Sequence, residues 1–313
     1  MAVKKKVPDY ISVLIPVFNN QEILEELHKR LVQVLMRLCD EYEILFVDDG
    51  SKDNSWNIIE ALKKGNNRIV GIKLMRNFGQ QNAIAAGLKY VEGDIVVVMD
   101  SDLQDRPEDI PRLVGALIEK DSSMAIARWI SRKDGCFRKL MSWLFYAVSK
   151  RITKIRHQPN LGVFRAIRRE VIEEIRNFQE KTSTTLSLLY WIGVDYVTVD
   201  LERDGRWSGR SGYTLKKMFK VALDRIFSFS MFPIRVAVYS GLIISIMSFL
   251  FGIVLVIRYL RGTVAPGWTS IIVMVLFFFG INFIFMGIIG EYLGRIFLEA
   301  KQRPKFVVKK VLK

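Results

Sequence analysis

Short apolar runs alternate with helix-spaced ones through the first 130 residues, and two long uncharged runs follow in the last third. Residues 11–17 (ISVLIPV) are apolar and β-branched, which predicts a buried strand, with Phe18, Asn19 and Asn20 as the turn that ends it. Leu24, Leu27, Leu31, Val34, Leu35 and Leu38 then recur at helical spacing. A second strand is predicted over 42–47. It closes on Asp48-Asp49-Gly50-Ser51, where Gly50 permits a positive φ and Ser51 or Asp53 can cap the next helix. Strands over 69–74 and 95–99 enclose a helix over 80–90; a helix from Pro107 to about Glu119 and a strand over 124–127 complete the sheet. Strands that alternate with helices pair in parallel through right-handed crossovers, so the fold class is α/β. Ligands of such sheets bind at the carboxyl ends of the strands. Residues 18–20, 48–51, 76–80 and 100–104 converge there, and Arg128 stands at another strand end.

Residues 236–257 and 268–289 carry no charge, over a length that crosses the hydrocarbon core of a bilayer at about 1.5 Å per residue. Lys216, Lys217, Lys220, Arg225 and Arg235 flank the pair on one side, and Arg295, Lys301, Arg303, Lys305, Lys309 and Lys310 on the other. Positive flanks face the cytoplasm, so both ends of the hairpin are expected there and the loop 258–267 outside. Asn282, in mid-span, is expected to contact the other helix or a second subunit. Two amphipathic basic segments precede the spans. Residues 137–152 fit a core helix and an interfacial helix equally well; residues 215–229, which lead into the first span, favour the interface. The expected organisation is a cytoplasmic domain over 1–213, a juxtamembrane helix over 214–232, a two-helix hairpin over 233–293 and a basic cytoplasmic tail over 294–313. Paired spans also make a homo-oligomer the expected state.

Composition adds direction rather than detail. Half of the 313 residues are apolar and the net charge is +15. Because the basic residues cluster beside the apolar runs, membrane lipid is the expected anionic partner and nucleic acid is not. Cys39 and Cys136, and His28 and His157, are isolated and suggest neither a disulfide framework nor a metal site. The basic start, with Pro8 and Asp9 in place of a long apolar segment, has no signal-peptide pattern, so the first domain is expected to stay in the cytoplasm.

The predicted strand over 95–99 ends in Asp100 and Asp102. Two carboxylates leaving a buried strand repel each other, and a divalent cation shared with an anionic ligand relieves that repulsion. Mg2+ or Mn2+ with a diphosphate is the chemistry this pair suits. Asp49 can accept hydrogen bonds from a base or ribose, and Arg76, Arg128, Arg206 and Arg210 can hold anionic oxygens in a fork. Neither a G-x-x-x-x-G-K-[ST] loop nor a G-x-G-x-x-G turn follows a strand, which excludes the usual signatures of P-loop nucleotidases and dinucleotide oxidoreductases.

The segments Ile15-Pro-Val-Phe-Asn19, Val47-Asp-Asp-Gly-Ser51, Arg76-Asn-Phe-Gly-Gln80 and Asp100-Ser-Asp-Leu-Gln104 resemble, in the same order, the inverting GT-A glycosyltransferases of family 2. Arg206-Trp-Ser-Gly-Arg-Ser211-Gly-Tyr213 and the double span ending Gly290-Glu-Tyr-Leu-Gly-Arg295 resemble its polyprenyl-phosphate branch, which includes dolichyl-phosphate mannose synthase and the undecaprenyl-phosphate glucosyl and aminoarabinosyl transferases. The resemblance implies a Rossmann-like, mostly parallel sheet and transfer of a hexose from a nucleotide sugar, UDP-glucose by preference, to a polyprenyl phosphate at the cytoplasmic membrane face. It implies that Pro16, Phe18, Asn20, Val47 and Asp49 line the nucleotide pocket. Asp100, Ser101, Asp102 and Gln104 would hold metal, diphosphate and sugar, with Asp100 and Asp102 the catalytic metal ligands. Arg128, Arg206 and Ser211 would serve the donor or acceptor phosphate.

Three positions depart from the family pattern. Glu usually stands at the position of Asn20, Lys usually at that of Gly212, and glucosyltransferase members often have Asp, a candidate base, at that of Val163. A phosphomonoester has a second pKa near about 6, so such an acceptor is already an anionic nucleophile without a base. Competing readings are a processive polysaccharide synthase and a non-catalytic membrane scaffold. Arg203 stands where a synthase would have the Gln of Q-x-x-R-W, and two spans are too few for a channel; the Asp100–Asp102 pair argues against the scaffold.

Overall fold

Strand β1 (Tyr10–Val17) alternates its side chains between two cores: Ile11, Val13, Ile15 and Val17 enter one, and Leu14 the other. A strand wanted by both layers sits at the centre of a sheet, and β1 pairs in parallel with β2 (Glu41–Asp48) on one side and β4 (Ile95–Val98) on the other. The computed structural model describes residues 9–129, 161–178, 180, 184–202, 227, 230, 232–261 and 267–313.

Among these residues, the order across the sheet is β7-β5-β6-β4-β1-β2-β3-β8, with β3 spanning Ile69–Leu74, β5 Met124–Trp129, β6 Leu161–Arg168, β7 Tyr196–Leu201 and β8 Val308–Leu312. Helices α1 (Leu24–Leu38), α2 (Ser55–Gly65) and α4 (Ile110–Glu119) pack on one face; α3 (Gln80–Gly87), α5 (Arg169–Arg176) and α6 (Thr185–Trp191) pack on the other. The α1 stripe Leu24, Leu27, Leu31 and Leu35 is fully buried, each side chain contributing about 1.5–3 kcal/mol.

The predicted four parallel strands and their helices are present, but the sheet does not end with β5. Strand β6 inserts antiparallel between β4 and β5, β7 adds in parallel to β5, and β8 closes the far edge antiparallel to β3. The helix predicted over 80–90 stops at Gly87, where a Cβ would lie 2.1 Å from Leu14 Cδ1 and 2.9 Å from Val47 Cγ2.

The C-terminal tail expected over 294–313 is corrected as well. Helix α8 (Trp268–Ala300) runs through its first part, and β8 follows as a sheet strand. Val308 and Val311 pack on one face of the sheet and Leu312 on the other, over Gly71, whose missing side chain leaves room for it. Lys310 and Lys313 reach Glu60 and Glu92 at 2.8 and 3.0 Å. The lysines that make the segment look like a solvated tail are the outward half of an edge strand, where they also discourage further pairing.

The sheet, its helices and β8 form one compact unit, while α7 (Phe232–Leu260) and α8 belong to a second. Residues 232–254 and 273–300 are long and apolar enough to cross a membrane, and none of that length is buried. Core helices of a soluble protein would hide such side chains; here Phe249, Met247, Phe283 and Ile284 are all more than half exposed, which hydrocarbon tolerates and water does not. Asn282 is exposed along α8. At the charged end of α8 the Tyr292 hydroxyl donates to the Ser230 carbonyl at 2.6 Å, and Arg295 pairs with Glu291. The amphipathic segment over 137–152, and nearly all of that over 214–232, lies outside the described residues.

Candidate active site

The chain runs from β1 outward through β2 and β3, then returns to β4 on the other side of β1. The order of the strands thus reverses between β1 and β4, the place in such a sheet where a ligand crevice forms at the carboxyl ends of the strands. A cavity of about 400 Å3 occupies this place, lined by Pro16, Val17, Phe18, Asn20, Asp49, Asn77, Gly79, Gln80, Asp100, Ser101 and Asp102.

Its near wall is stitched by reciprocal backbone and side-chain hydrogen bonds. The Asn19 N–H donates to Ser51 Oγ and the Lys52 N–H to Asn19 Oδ1; the Gln21 N–H donates to Asp53 Oδ2 and the Asn54 N–H to Gln21 Oε1, all between 2.9 and 3.1 Å. Asp53 also accepts from the Ser55 N–H at the start of α2, so of the two expected capping residues Asp53 serves the helix and Ser51 the first loop. Asn19 takes a positive φ of 52° to make this zip possible.

Asp49 is buried, and its two oxygens accept from the backbone N–H groups of Phe78 and Gly79 at 2.7 and 2.8 Å. Burial pushes its pKa up, while those two donors pull the other way. Gly50, at φ 69°, lies so close to the Arg76–Asn77 backbone that a Cβ would come within 2.5 Å of it. The Asp49–Gly50 turn thus fixes residues 76–80 against the cavity.

The far wall is the Asp100–Asp102 turn. Asp100 accepts from Gln80 Nε2, Asp102 Oδ1 accepts from the Gln104 N–H at 3.1 Å, and the Asp100 N–H donates to buried Asp105 at 3.3 Å. Buried Leu103 is held at φ 56°, a left-handed conformation that costs about 1–2 kcal/mol. The tight turn it makes keeps Asp100 and Asp102 half-buried on one cavity. Asn20 bridges the two walls: in the amide orientation that satisfies both ends, its oxygen accepts from Ser101 Oγ at 2.6 Å and its nitrogen donates to the carbonyls of Phe18 and Asn19.

Residues 12–176 match the family described as Glycosyl transferase family 2. An uncharacterised glycosyltransferase of Bacillus subtilis (strain 168), YkcC, is 37% identical over 96% of this chain and 93% of its own length. The SfII prophage-derived bactoprenol glucosyl transferase of Shigella flexneri is 36% identical over 96% and 97%. The chain belongs to glycosyl transferase family 2.

A solved structure, the mannosyltransferase PcManGT of Pyrobaculum calidifontis in complex with GDP-Man and Mn2+, aligns with a TM-score of 0.51 at 20% identity over 71% of this chain and 64% of that one. That likeness concerns the fold, which is of GT-A type. Against the family pattern, the amide of Asn20 ties loop to loop where a carboxylate is usual, and no acid stands at Val163 beside the end of β4.

Of the twelve site residues expected from the sequence, seven line this cavity. Pro16, Phe18, Asn20, Asp49, Asp100, Ser101 and Asp102 line the cavity together. Val47 is fully buried in the core, and Gln104 is buried behind the turn, so neither side chain lines it. Arg128 makes a two-pronged ion pair with Asp200 of β7 at 2.5 and 2.7 Å, away from the cavity lining. Arg206, Arg210 and Ser211 lie outside the described residues. Exposed Arg76 stacks over Phe78. Sequence reasoning placed residues 76–80 at this end of the sheet but gave a role only to Arg76; Asn77, Gly79 and Gln80 are the members that reach the cavity.

Asp100 and Asp102 offer hard oxygen donors suited to Mg2+ or Mn2+. Among the described residues no group of three or more metal-binding side chains gathers, so the pair fits a cation whose remaining positions are filled by ligand oxygens.

Proposed function

We propose that this family 2 member transfers a hexose from a nucleotide sugar, a UDP-sugar with UDP-glucose preferred, to a polyprenyl phosphate, with inversion, at the cytoplasmic face of a membrane. The observation that carries the reading is Asp100 and Asp102 sharing one cavity at the β1/β4 switch point of a chain that also bears two unburied apolar helices. Relatives named bactoprenol glucosyl transferases, similar along almost the whole chain, support the lipid acceptor.

Asp100 and Asp102 would hold Mg2+ or Mn2+, which when bound neutralises charge on the departing nucleoside diphosphate. Gln80 and the Leu103 turn hold the two carboxylates in place before substrate arrives. Phe18, 43% exposed at the cavity, offers an aromatic face to the base, and Ser101 and Asn20 offer hydroxyl and amide groups to the donor. A phosphate oxygen of the acceptor attacks the anomeric carbon as the bond to the diphosphate breaks. The acceptor is largely dianionic at neutral pH, so Val163 needs no acidic replacement. Arg128, Arg206 and Ser211 are assigned to phosphate; at Arg128 the phosphate would compete with Asp200.

The chain leaves the sheet unit before the first apolar helix and returns to it as β8 after the second. This path supports a membrane crossed by α7 and crossed back by α8, with the sheet and both termini on one side, and the basic flanks support the cytoplasm as that side. A homo-oligomer belongs to the same proposal, with Asn282 offering an amide to a second copy. The test uses the purified full chain with Mg2+ or Mn2+, a panel of nucleotide sugars and undecaprenyl or dolichyl phosphate. A glycosyl phospholipid is the expected product and Asp102→Ala should abolish it; no turnover across the panel rejects the proposal.

A further inference from the structure

Arg165 stands in the middle of β6, opposite Val98 of β4 and Ile126 of β5, and only 4% of it is exposed. Its Nε donates to the Val163 carbonyl at 3.0 Å and its Nη2 to the Gly162 carbonyl at 2.6 Å. The side chain therefore runs back along its own strand. Because β6 is antiparallel to β4, that direction leads toward the end of β4 from which Asp100 projects. Nη1 is buried with no hydrogen-bond partner. Burial lowers the guanidinium pKa, with Tyr190 and then Asp100 acting in the opposite sense, and the Tyr190 ring centre is 5.9 Å from Cζ.

A guanidinium held by two carbonyls, with a buried N–H2 left over, is costly, because an ion taken out of water loses solvation that only a counter-charge or further hydrogen bonds replace. On the same face of β6, Val163 and Ile167 belong to an apolar core, so this layer is otherwise apolar. A long apolar side chain would meet the packing need at lower cost. The charge makes physical sense beside a site that fills with anions. Asp100 and Asp102 together balance one divalent cation, and Arg165 adds a unit of positive charge on the Asp100 side. That charge opposes the cation on its own and favours the cation accompanied by a diphosphate.

We propose that Arg165 is a positioning charge that couples divalent-cation binding to diphosphate binding, so that the cation and the nucleotide enter as a unit. The inference rests on the assignment of Asp100 and Asp102 as the cation site, and it adds a residue of β6 to that site.

The test is Mn2+ binding to the full chain in detergent, followed by the electron paramagnetic resonance of free Mn2+, with and without UDP. In the wild type, UDP should tighten Mn2+ binding. In Arg165→Met, Mn2+ alone should bind tighter, on the order of ten-fold, as expected when a unit charge stops opposing a divalent one across a partly solvated gap. The tightening by UDP should shrink by a similar factor, while the melting temperature holds or rises, since an apolar residue relieves the buried charge. Arg165→Lys, which keeps the charge, should keep the coupling within about three-fold of wild type. Unchanged coupling in Arg165→Met, or parallel weakening of Mn2+ and UDP, overturns the inference and leaves the cation site standing. Should Arg165→Met fail to fold, loss of coupling in a folded Arg165→Lys overturns it. A wild type that binds no Mn2+ even with UDP removes the cation site itself, and the inference with it.

Discussion

The two ends of the same sheet treat carboxylates in opposite ways. At the amino end, Glu43 is 6% exposed and accepts from Ser12 Oγ at 2.5 Å and the Glu92 N–H at 2.7 Å, while Ser12 Oγ in turn accepts from the Gly93 N–H at 2.8 Å. The Tyr10 hydroxyl lies in the same cluster, its pKa raised by burial first and by Glu43 next. Every element there is closed on itself. At the carboxyl end, Asp100 and Asp102 are half-buried, held by Gln80 and a strained turn, and face a cavity. The contrast separates acids that knit strands together from acids that, in the proposed reaction, meet a cation and its ligand.

The sharpest way to break that contrast is to exchange the consequences of losing each acid. Asp102→Ala should reduce kcat/KM by at least about a thousand-fold, the scale seen when transition-state charge stabilisation is removed, with the melting temperature unchanged or raised. Glu43→Ala should do the reverse. It orphans the Ser12 hydroxyl and the Glu92 N–H, costing about 2–4 kcal/mol in denaturant unfolding, while kcat of the folded fraction stays within about two-fold. A Glu43 variant that loses turnover at full stability would erase the distinction between the two ends.

Asp49 stands between these cases, buried like Glu43 but at the cavity like Asp100. Asp49→Asn swaps an acceptor for a donor facing the Phe78 or Gly79 N–H, loosening residues 76–80, and should raise KM for the nucleotide sugar about ten-fold with a smaller change in kcat. The sign of its pH dependence is also set. Burial raises the Asp49 pKa in the fold, so its contribution is present while it is protonated and is lost as pH rises through the carboxylate range. The stability gap between Asp49→Asn and wild type should therefore narrow as the pH rises from strongly acidic to neutral, measured by thermal unfolding; a gap that widens contradicts the burial argument.

These residues also show where sequence is informative. Strands β1 to β4 and helices α1 to α4 were legible from the alternation of short apolar runs with helix-spaced ones, and Asp100 and Asp102 stood out not alone, since strand ends often carry Asp, but beside the clusters 18–20, 48–51 and 76–80 at the same end of the sheet. Strand β6 was not, since its central Arg165 interrupts the apolar run and its partners lie about 40 and 70 positions away in the chain. Asp49 was visible as a site residue but its grip on Phe78 and Gly79 was not, because a hydrogen bond across 29 or 30 positions leaves no local pattern.

Strand β8 gives the mildest test, and one that separates the sheet edge from the site. Leu312 packs over Gly71 against Ile59 and Trp56, a partly buried contact at the last strand of the sheet, opposite the edge formed by β7. Leu312→Ala should cost about 1 kcal/mol, below the 2–5 kcal/mol of a fully buried leucine, and leave KM and kcat unchanged. Gly71→Ala tests the same contact from the other side: a Cβ there would sit 3.0 Å from Ile59 Cγ2 and 3.2 Å from Leu312 Cδ1, so both neighbours must yield. If the two substitutions act through one contact, their combined cost in denaturant unfolding should fall short of the sum of the separate costs, because Leu312→Ala removes one of the two atoms that the new methyl group meets.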